Sequence, residues 1–506
     1  MRRPKSHQTM KTILAIILII LILPFAACQI GDSKSPSEPN NPTASPTPSG
    51  SGTPTKKPTP NVTPIPPGKI VNLMATLKAN PDVKAAKTDE DKAAILNDFT
   101  VRLIRAQLAE REKNKENNKN FLLSPYVMQS VLAMVANGAG GDTLTEMLAV
   151  LGGEALTSGH PGGNSGTSGG GKSGSNSDGA ATADATLRAL NELILGTRRD
   201  SERELQQLFI SGSIWYRTDV EDFRINPNFL QTNADYFGIP SFGAPFNDDT
   251  VKAVNDLIDK QTKGLIKEII KEFKDENRVA LFSTLLFEAK WLHPFAEAHE
   301  QENWFTNIDG QKQSVRAMWV KDEIVFEVKG GQATLRPYEG ENYAMLLILP
   351  DEGTLPTDLL KSWTADDWYK TIMIRRKLDA TRAYAAITLP AFTFGTDKDN
   401  MIPALEAIGM ELVFDEGAAD LSSMGSVAGN LYVSELEHKA KIVVNEQGTI
   451  AAAVGSALCS NVSMPQNFLT FDRPFAYAIV DLNTGVPYFI GVMNSIDETP
   501  PPTIKD

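Results

Sequence analysis

The composition of this 506-residue chain changes near residue 69, and this change marks where a folded domain can begin. Residues 29–68 are dominated by Pro, Ser, Thr, Gly and Asn, and they carry too little apolar surface to build a core. Such a stretch behaves as a semi-extended, disordered spacer. From about Ile70 to about Ser495, apolar residues recur at the intervals of helices and strands. We therefore place the folded domain at 69–497, with 498–506 as a tail.

The first 27 residues have the pattern of a secretory signal. The apolar run 13–23 is preceded by cations and is shorter than the ~20 residues of a membrane-spanning helix. Ala26-Ala27-Cys28 resembles a bacterial lipoprotein processing site, although Phe25 stands where Leu is usual. We expect cleavage before Cys28, a lipid on its sulfur, and a linker over 28–68. The protein would then be exported and anchored at the cell surface. An ordinary signal or a retained anchor is the alternative.

The net charge, the cysteine count and the histidine count limit which partners, disulfides and metal sites this chain can have. The formal net charge of −13 argues against nucleic acid as the main partner. Cys28 and Cys459 are the only cysteines, so no internal disulfide forms if Cys28 carries lipid. The five histidines make no His-Glu-x-x-His pair, and we expect neither a metal nor a cofactor.

Periodicity predicts helices in the early part of the domain and strands in the late part. The predicted helices are 89–113, 125–135, 250–262 and 401–408. The predicted strands are 121–123, 205–216, 279–287, 343–349 and 385–389, followed by a hairpin of 475–480 and 488–492. This order indicates an α+β domain.

A Gly/Ser-rich insert, which we predict to be disordered, covers residues 152–183. Its segment 166–173, GTSGGGKS, matches the letters of a phosphate-binding loop and also contains Gly-x-Ser-x-Gly. Both motifs require a buried strand before them and a helix directly after. The Gly/Ser-rich flanks supply neither, so we reject both motif matches.

The segment 438–453 reads HKAKIVVNEQGTIAAA, in which a strand gives way to a run of small residues. It resembles the strand and hinge of the serpins. Other motifs resemble that family in the same order along the chain: NFLLSP at 120–125, FEAKW at 287–291, LTFDRPF at 469–475 and GVPYFIG at 485–491. The chain is therefore identified as resembling a serpin of the bacterial lipoprotein type.

This resemblance implies three β-sheets, eight or nine helices and an exposed reactive-centre loop. It also implies a monomer that is no enzyme but a suicide substrate for serine endopeptidases, with cysteine endopeptidases left open. The protease cuts the loop, and the loop enters the main sheet before the acyl-enzyme hydrolyses. Loop insertion of this kind is an established serpin property.

The hinge that must enter the sheet is small and neutral. Its residues are Glu446, Gly448, Thr449, Ala451, Ala452 and Ala453. Because side chains alternate along a strand, Thr449, Ala451 and Ala453 share one face and can slide between existing strands. Gly448 is expected to be a flexible pivot. Ile450 replaces the family's usual acid, on the other face.

Two counts place the scissile bond one residue apart. Counting forward from the hinge gives Val462-Ser463, and counting back from Pro474 gives Ser463-Met464. Val before the cut suits elastase-like or subtilisin-like proteases. Cys459 lies on the same loop, either as an inert apolar residue or as a thiol open to modification.

A second predicted site is the group called the shutter in this family, formed by Ser124, Ser283 and His438. Ser283 stands where Asn is usual, and Val127 where Ser is usual. We expect the Ser283 hydroxyl to be the group that could still reach His438.

Two other functions remain open at this point. A non-inhibitory serpin would act as a surface binding or carrier protein. An exported hydrolase with a Ser-His-acid triad would need His438 as its base.

Overall fold

The computed structural model describes residues 63–64, 68–152, 176–201, 208–220, 223–297, 303–376, 383–396, 399–427, 430–449 and 467–496. Within these residues there are nine α-helices. They are α1 Glu90–Lys113, α2 Pro125–Ala136, α3 Gly141–Leu151, α4 Asn176–Ser201, α5 Pro227–Tyr236, α6 Asp248–Gln261, α7 Pro356–Ser362, α8 Ala365–Ile372 and α9 Ile402–Glu406.

The same residues form twenty-three strands. They are β1 Thr63–Pro64, β2 Val71–Asn72, β3 Phe121–Leu123, β4 Leu208–Arg217, β5 Arg224–Ile225, β6 Ser241–Ala244, β7 Val279–Phe287, β8 Ala289–Lys290, β9 Ala296–Glu297, β10 Trp304–Thr306, β11 Lys312–Ser314, β12 Ala317–Val328, β13 Gly331–Pro337, β14 Tyr343–Pro350, β15 Ala383–Pro390, β16 Phe392–Gly395, β17 Asp399–Asn400, β18 Gly425–Ser426, β19 Val433–Val444, β20 Gly448–Thr449, β21 Phe468–Thr470, β22 Phe475–Asp481 and β23 Pro487–Met493.

The first two helices begin where the sequence predicts. The Asp89 side chain caps α1 by accepting a hydrogen bond of 3.1 Å from the backbone N–H of Lys92. Pro125 occupies the first turn of α2, where its missing N–H costs nothing. Every residue of α2 is buried, because this helix lies in the centre of the core.

Two nine-stranded sheets dominate the fold. The main sheet has the order β2-β6-β4-β7-β19-β20-β8, with β16 and β17 also paired to β19. The second has the order β21-β15-β12-β13-β14-β22-β23-β3, with β9 paired to β12. Two smaller sheets, β1-β5-β18 and β10-β11, complete an α+β arrangement. The predicted fold class is confirmed.

Two segments that the sequence predicts to be disordered contain regular structure. Helix α4 begins at Asn176, so residues 176–183 of the predicted insert are helical, while 153–175 lie outside the described residues. Ala is the strongest helix former, and the Ala-rich stretch 180–185 leads directly into the buried Leu190 and Leu193. In the predicted linker, Thr63–Pro64 pairs with Arg224–Ile225 as β1.

No helix in the described part of the chain is long and apolar enough to cross a membrane. The predicted signal, residues 1–27, lies outside that part.

Candidate functional site

The centre of the main sheet is a closed pair of parallel strands. Strands β7 and β19 pair directly from Val279 opposite Val433 to Leu285 opposite Ala440. All nine residues of β7 are buried. Parallel neighbours in a sheet leave room for an antiparallel strand between them only if their mutual hydrogen bonds break.

Above this closed pair, the start of the hinge is already part of the sheet. Thr449 of β20 pairs with Val444 of β19 on one side and with Ala289 of β8 on the other. Gly448 pairs with Lys290 in the same ladder. Because both pairings are antiparallel, β20 runs opposite to both flanking strands. We call this arrangement of residues 448–449 between β8 and β19 the hinge seat.

Gly448 is required here by close packing. A Cβ atom at this position would lie 2.1 Å from the Ala289 carbonyl oxygen, and its backbone φ lies outside the positive region. The backbone of the hinge therefore approaches β8 more closely than any residue with a side chain allows.

Tyr338 holds the Thr449 side chain. The two hydroxyl groups lie 2.7 Å apart, and both residues are fully buried. The Tyr338 ring stacks on Trp291 at 4.5 Å and meets the edge of Phe287 at 4.8 Å. Burial raises the pKa of Tyr338 far above its ordinary value, so its hydroxyl stays protonated.

The turn formed by residues 291–295 holds the chain just before the hinge seat. The backbone N–H of Trp291 donates to the Gln447 carbonyl, and that of Phe295 donates to the Glu446 carbonyl, both at 2.9 Å. The Trp291 indole N–H donates to the Asn445 carbonyl, also at 2.9 Å. Three consecutive carbonyls are thus fixed by one turn.

A buried cation lies behind this turn. Arg336 donates to the Glu323 carboxylate and to the His293 carbonyl. Its guanidinium also lies over two aromatic rings, 4.6 Å from the centroid of Phe295 and 5.7 Å from that of Trp291. Burial lowers the pKa of Arg336, and the neighbouring Glu323 charge opposes that shift.

Glu446, the first predicted hinge residue, is mostly buried. One of its carboxylate oxygens lies 3.5 Å from the guanidinium of Arg316, whose side chain is 55% exposed. A pair with one exposed partner contributes little to stability.

The predicted shutter residues meet below the seat. His438 and Ser283 are direct neighbours across the β19–β7 pair, and the Ser283 Oγ lies 2.8 Å from His438 Nδ1. The backbone N–H of Ser124 donates to His438 Nε2 at 3.1 Å, and the Ser124 hydroxyl donates to the Tyr488 carbonyl. The predicted reach of Ser283 is confirmed. Val127 is fully buried in the apolar core.

Hydrogen bonds and burial together define the tautomer and the charge of His438. Since Nε2 accepts a hydrogen bond, the proton lies on Nδ1, which donates to the Ser283 oxygen. Burial lowers the pKa of His438 to about 4. The imidazole is therefore neutral at pH 7, and it joins the two central strands to α2.

The remaining predicted site residues lie outside the described residues. They are Ala451, Ala452, Ala453, Cys459, the two candidate bonds at Val462, Ser463 and Met464, and the lipidation site Cys28. In the described part of the chain, no group of three or more His, Cys, Asp or Glu residues could hold a metal ion.

Sequence reasoning missed two members of the site, Tyr338 and Arg336. Neither lies in a recognisable motif. Tyr338 contacts Thr449 from 111 positions away in the sequence, and Arg336 contacts the 291–295 turn from 43 positions away. A buried-strand pattern interrupted by Arg at 336 is the one local signal that could have drawn attention to them.

Comparison with known proteins agrees with this geometry. The family model described as Serpin (serine protease inhibitor) matches residues 94–496. Alpha-1-antitrypsin 1-3 of Mus musculus is 26% identical over 404 residues, which cover 79% of this chain and 88% of that protein. Among solved structures, the thermophilic serpin tengpin in its native state gives a TM-score of 0.70 at 30% identity, covering 85% of this chain and all (100%) of that chain. Tengpin in its latent state gives 0.63 at 26% identity, covering 82% of this chain and 100% of that one.

The chain belongs to the serpin family. Serpins are generally protease inhibitors rather than catalytic enzymes, and membership supports a function of the protease-inhibitor type.

Proposed function

We propose that this protein is a suicide-substrate inhibitor of serine endopeptidases that traps the acyl-enzyme by inserting its cut loop between β7 and β19. Cysteine endopeptidases, which also form acyl-enzymes, are a second target class. The hinge seat is the observation that carries the proposal. Its two residues already run antiparallel to both flanking strands, which is the direction that an inserted loop needs.

The register of the seat predicts how far insertion runs. Continuing the Val444–Thr449 pairing one residue at a time brings Ser460 opposite Val433, the first residue of β19. Continuing the Ala289–Thr449 pairing brings Cys459 opposite Val279, the first residue of β7. Residues 450–460 therefore match the length of the slot along β19, and residues 450–459 match its length along β7.

This length match supports a cut just beyond the slot. Cleavage after Val462 leaves two residues between Ser460 and the acyl bond, and cleavage after Ser463 leaves three. Insertion would carry the protease past the lower end of the sheet, over a strand length of roughly 35 Å at ~3.3 Å per residue. Its active site would then be pulled against the inhibitor.

The proposed target is elastase-like or subtilisin-like. Val462 suits an apolar pocket, and no Lys or Arg occurs between Gly448 and Asp472. We also propose an exported, monomeric protein attached to a membrane through lipid on Cys28, with 28–68 as the spacer. The Ala26-Ala27-Cys28 signature supports that attachment.

Incubation of the purified full chain with elastase and with subtilisin tests the mechanism. We expect a complex that survives heat and detergent. Nicking the loop with a protease that is then removed should raise the melting temperature, because residues 450–460 would complete the sheet. Clean cleavage with an unchanged melting temperature would indicate a non-inhibitory binding or carrier protein instead.

A further inference from the structure

A buried ion pair between Arg336 and Glu323 lies behind the turn of residues 291–295 that holds the chain before the hinge seat. The side chains of Arg336 and Glu323 are only 1% and 11% exposed. Removing two charges from water is costly, and apolar residues of similar volume often give equal or greater stability. The pair is therefore poorly explained as a source of stability, and its contacts indicate another role.

Those contacts connect Arg336 to the hinge through one turn. The guanidinium donates to the His293 carbonyl and lies over the ring of Phe295, both in the 291–295 turn. The same turn holds the carbonyls of 445–447 through three hydrogen bonds. A change in the orientation of the turn must therefore move the residues that lead into the hinge seat.

We propose that Arg336, fixed by Glu323, is a positioning residue that keeps the hinge seated between β8 and β19. An apolar side chain of similar length could pack against Phe295 but could not bind the His293 carbonyl. The turn would then release the hinge more often, and insertion would have to begin from an unseated chain. The effect on inhibition rests on the proposed function, whereas the effect on seating does not.

Hydrogen exchange measured by mass spectrometry tests the seating directly. In Arg336→Met, amides of 444–449 should exchange about fivefold faster, which corresponds to about 1 kcal/mol at ~1.4 kcal/mol per factor of ten. Amides of 279–285 in the closed strand pair should keep their wild-type rate. Arg336→Lys retains a donor and should give an intermediate hinge rate. Wild-type exchange at the hinge in both variants overturns the proposal.

Arg111 provides a matched control at a distance from the hinge. It is also buried, its guanidinium lies 5.6 Å from the Phe121 ring, and it donates to the Asn120 carbonyl. Arg111→Met should leave hinge exchange unchanged. Equal acceleration in this variant would mean general loosening and would overturn the specific role of Arg336. If Arg336→Met fails to fold, the hinge exchange rate of Arg336→Lys is compared with that of the wild-type protein. A wild-type rate in Arg336→Lys then overturns the proposal.

Inhibition of elastase tests whether the seating of the hinge affects function. Arg336→Met should raise the number of inhibitor molecules consumed per protease trapped roughly fivefold, the same factor as the loss of seating. Faster hinge exchange with an unchanged ratio overturns the link between seating and insertion. If the wild-type protein traps no elastase or subtilisin, the proposed function fails, and the exchange experiment still decides the role of Arg336.

Discussion

The top and the middle of the main sheet are in opposite states. At the top, residues 448–449 already lie between β8 and β19, with Thr449 held by Tyr338. In the middle, β7 and β19 pair with each other directly, and His438 binds Ser283 across the join. On the proposed mechanism, the first step of strand insertion is therefore complete in the intact protein, while the next steps require the existing β7–β19 hydrogen bonds to break.

This difference separates two free-energy costs. Starting a new strand requires residues to lose conformational entropy before any pairing stabilises them. Residues 448–449 are already ordered in the hinge seat, so insertion would not have to overcome this cost. Extending the strand requires breaking the β7–β19 ladder, one pair at a time. Changes at the top should therefore affect whether insertion starts, and changes in the middle should affect how readily the sheet opens.

The largest effect is expected from Thr449→Arg at the top. Thr449 is fully buried, and an unpaired charge in its place would cost several kcal/mol. The hinge would leave its seat, and insertion would lose to hydrolysis of the acyl-enzyme. Gel analysis after reaction with elastase should show cleaved inhibitor and almost no stable complex.

Ile450→Glu is the matched control, since strand alternation places residue 450 on the opposite face from Thr449. We expect it to keep complex formation. Retained complex formation in Thr449→Arg would contradict the importance of the seat.

A smaller effect is expected in the middle when pH falls. The pKa of His438 is about 4 in the folded protein against 6.5 for the unperturbed group, so the unfolded chain binds the proton first. Stability is complete above about pH 6.5 and is lost as pH falls towards 4; between pH 7 and 5 the loss is roughly 2 kcal/mol. Urea unfolding at these two pH values measures the change in the free energy of unfolding.

The control for this prediction is His438→Gln, which should remove this part of the pH dependence. The same change in the free energy of unfolding between pH 7 and 5 in the variant would exclude His438 as its source.

The smallest effect is expected from Ser283→Ala, which leaves the His438 Nδ1–H without its acceptor. A hydrogen bond typically contributes about 1 kcal/mol to stability, so urea unfolding should shift to lower concentration. Since the sheet opens more readily, the number of inhibitor molecules consumed per elastase trapped should stay the same or fall. Ser213→Ala is the control, because Ser213 accepts a hydrogen bond from the Trp215 indole within β4, which pairs with β7 on the side opposite β19. A higher ratio in Ser283→Ala would remove the distinction between top and middle.

Much of the fold could be predicted from local patterns. The acid-capped helix from Asp89, the helix entry at Pro125 and the uninterrupted apolar strand 279–287 all appear where periodicity and capping place them. The start of α4 could not be found in this way. Its first residues, 176–179, have the same polar, Gly-containing composition as the preceding insert.

The candidate site also has one part that the sequence predicts and one part that it does not. Ser124, Ser283 and His438 were predicted through their resemblance to a family pattern, and the structure brings them together. The hinge seat was not predicted, because it depends on where the ends of β8 and β19 lie relative to each other. Tyr338 contacts the seat and Arg336 contacts the adjoining 291–295 turn through tertiary packing, which a single sequence does not display.

Strand β2 gives the main sheet a further property. Residues 71–73 cover the outer side of β6, with Val71 opposite Gly243 and the Leu73 amide donating to the Ser241 carbonyl. The uncovered rim beyond them belongs to a strand only two residues long. An exposed sheet edge invites pairing with other chains, and short edge strands prevent it. If the main sheet admits its own loop at the centre, as proposed, this flank still offers a neighbouring molecule only a two-residue strand to pair with.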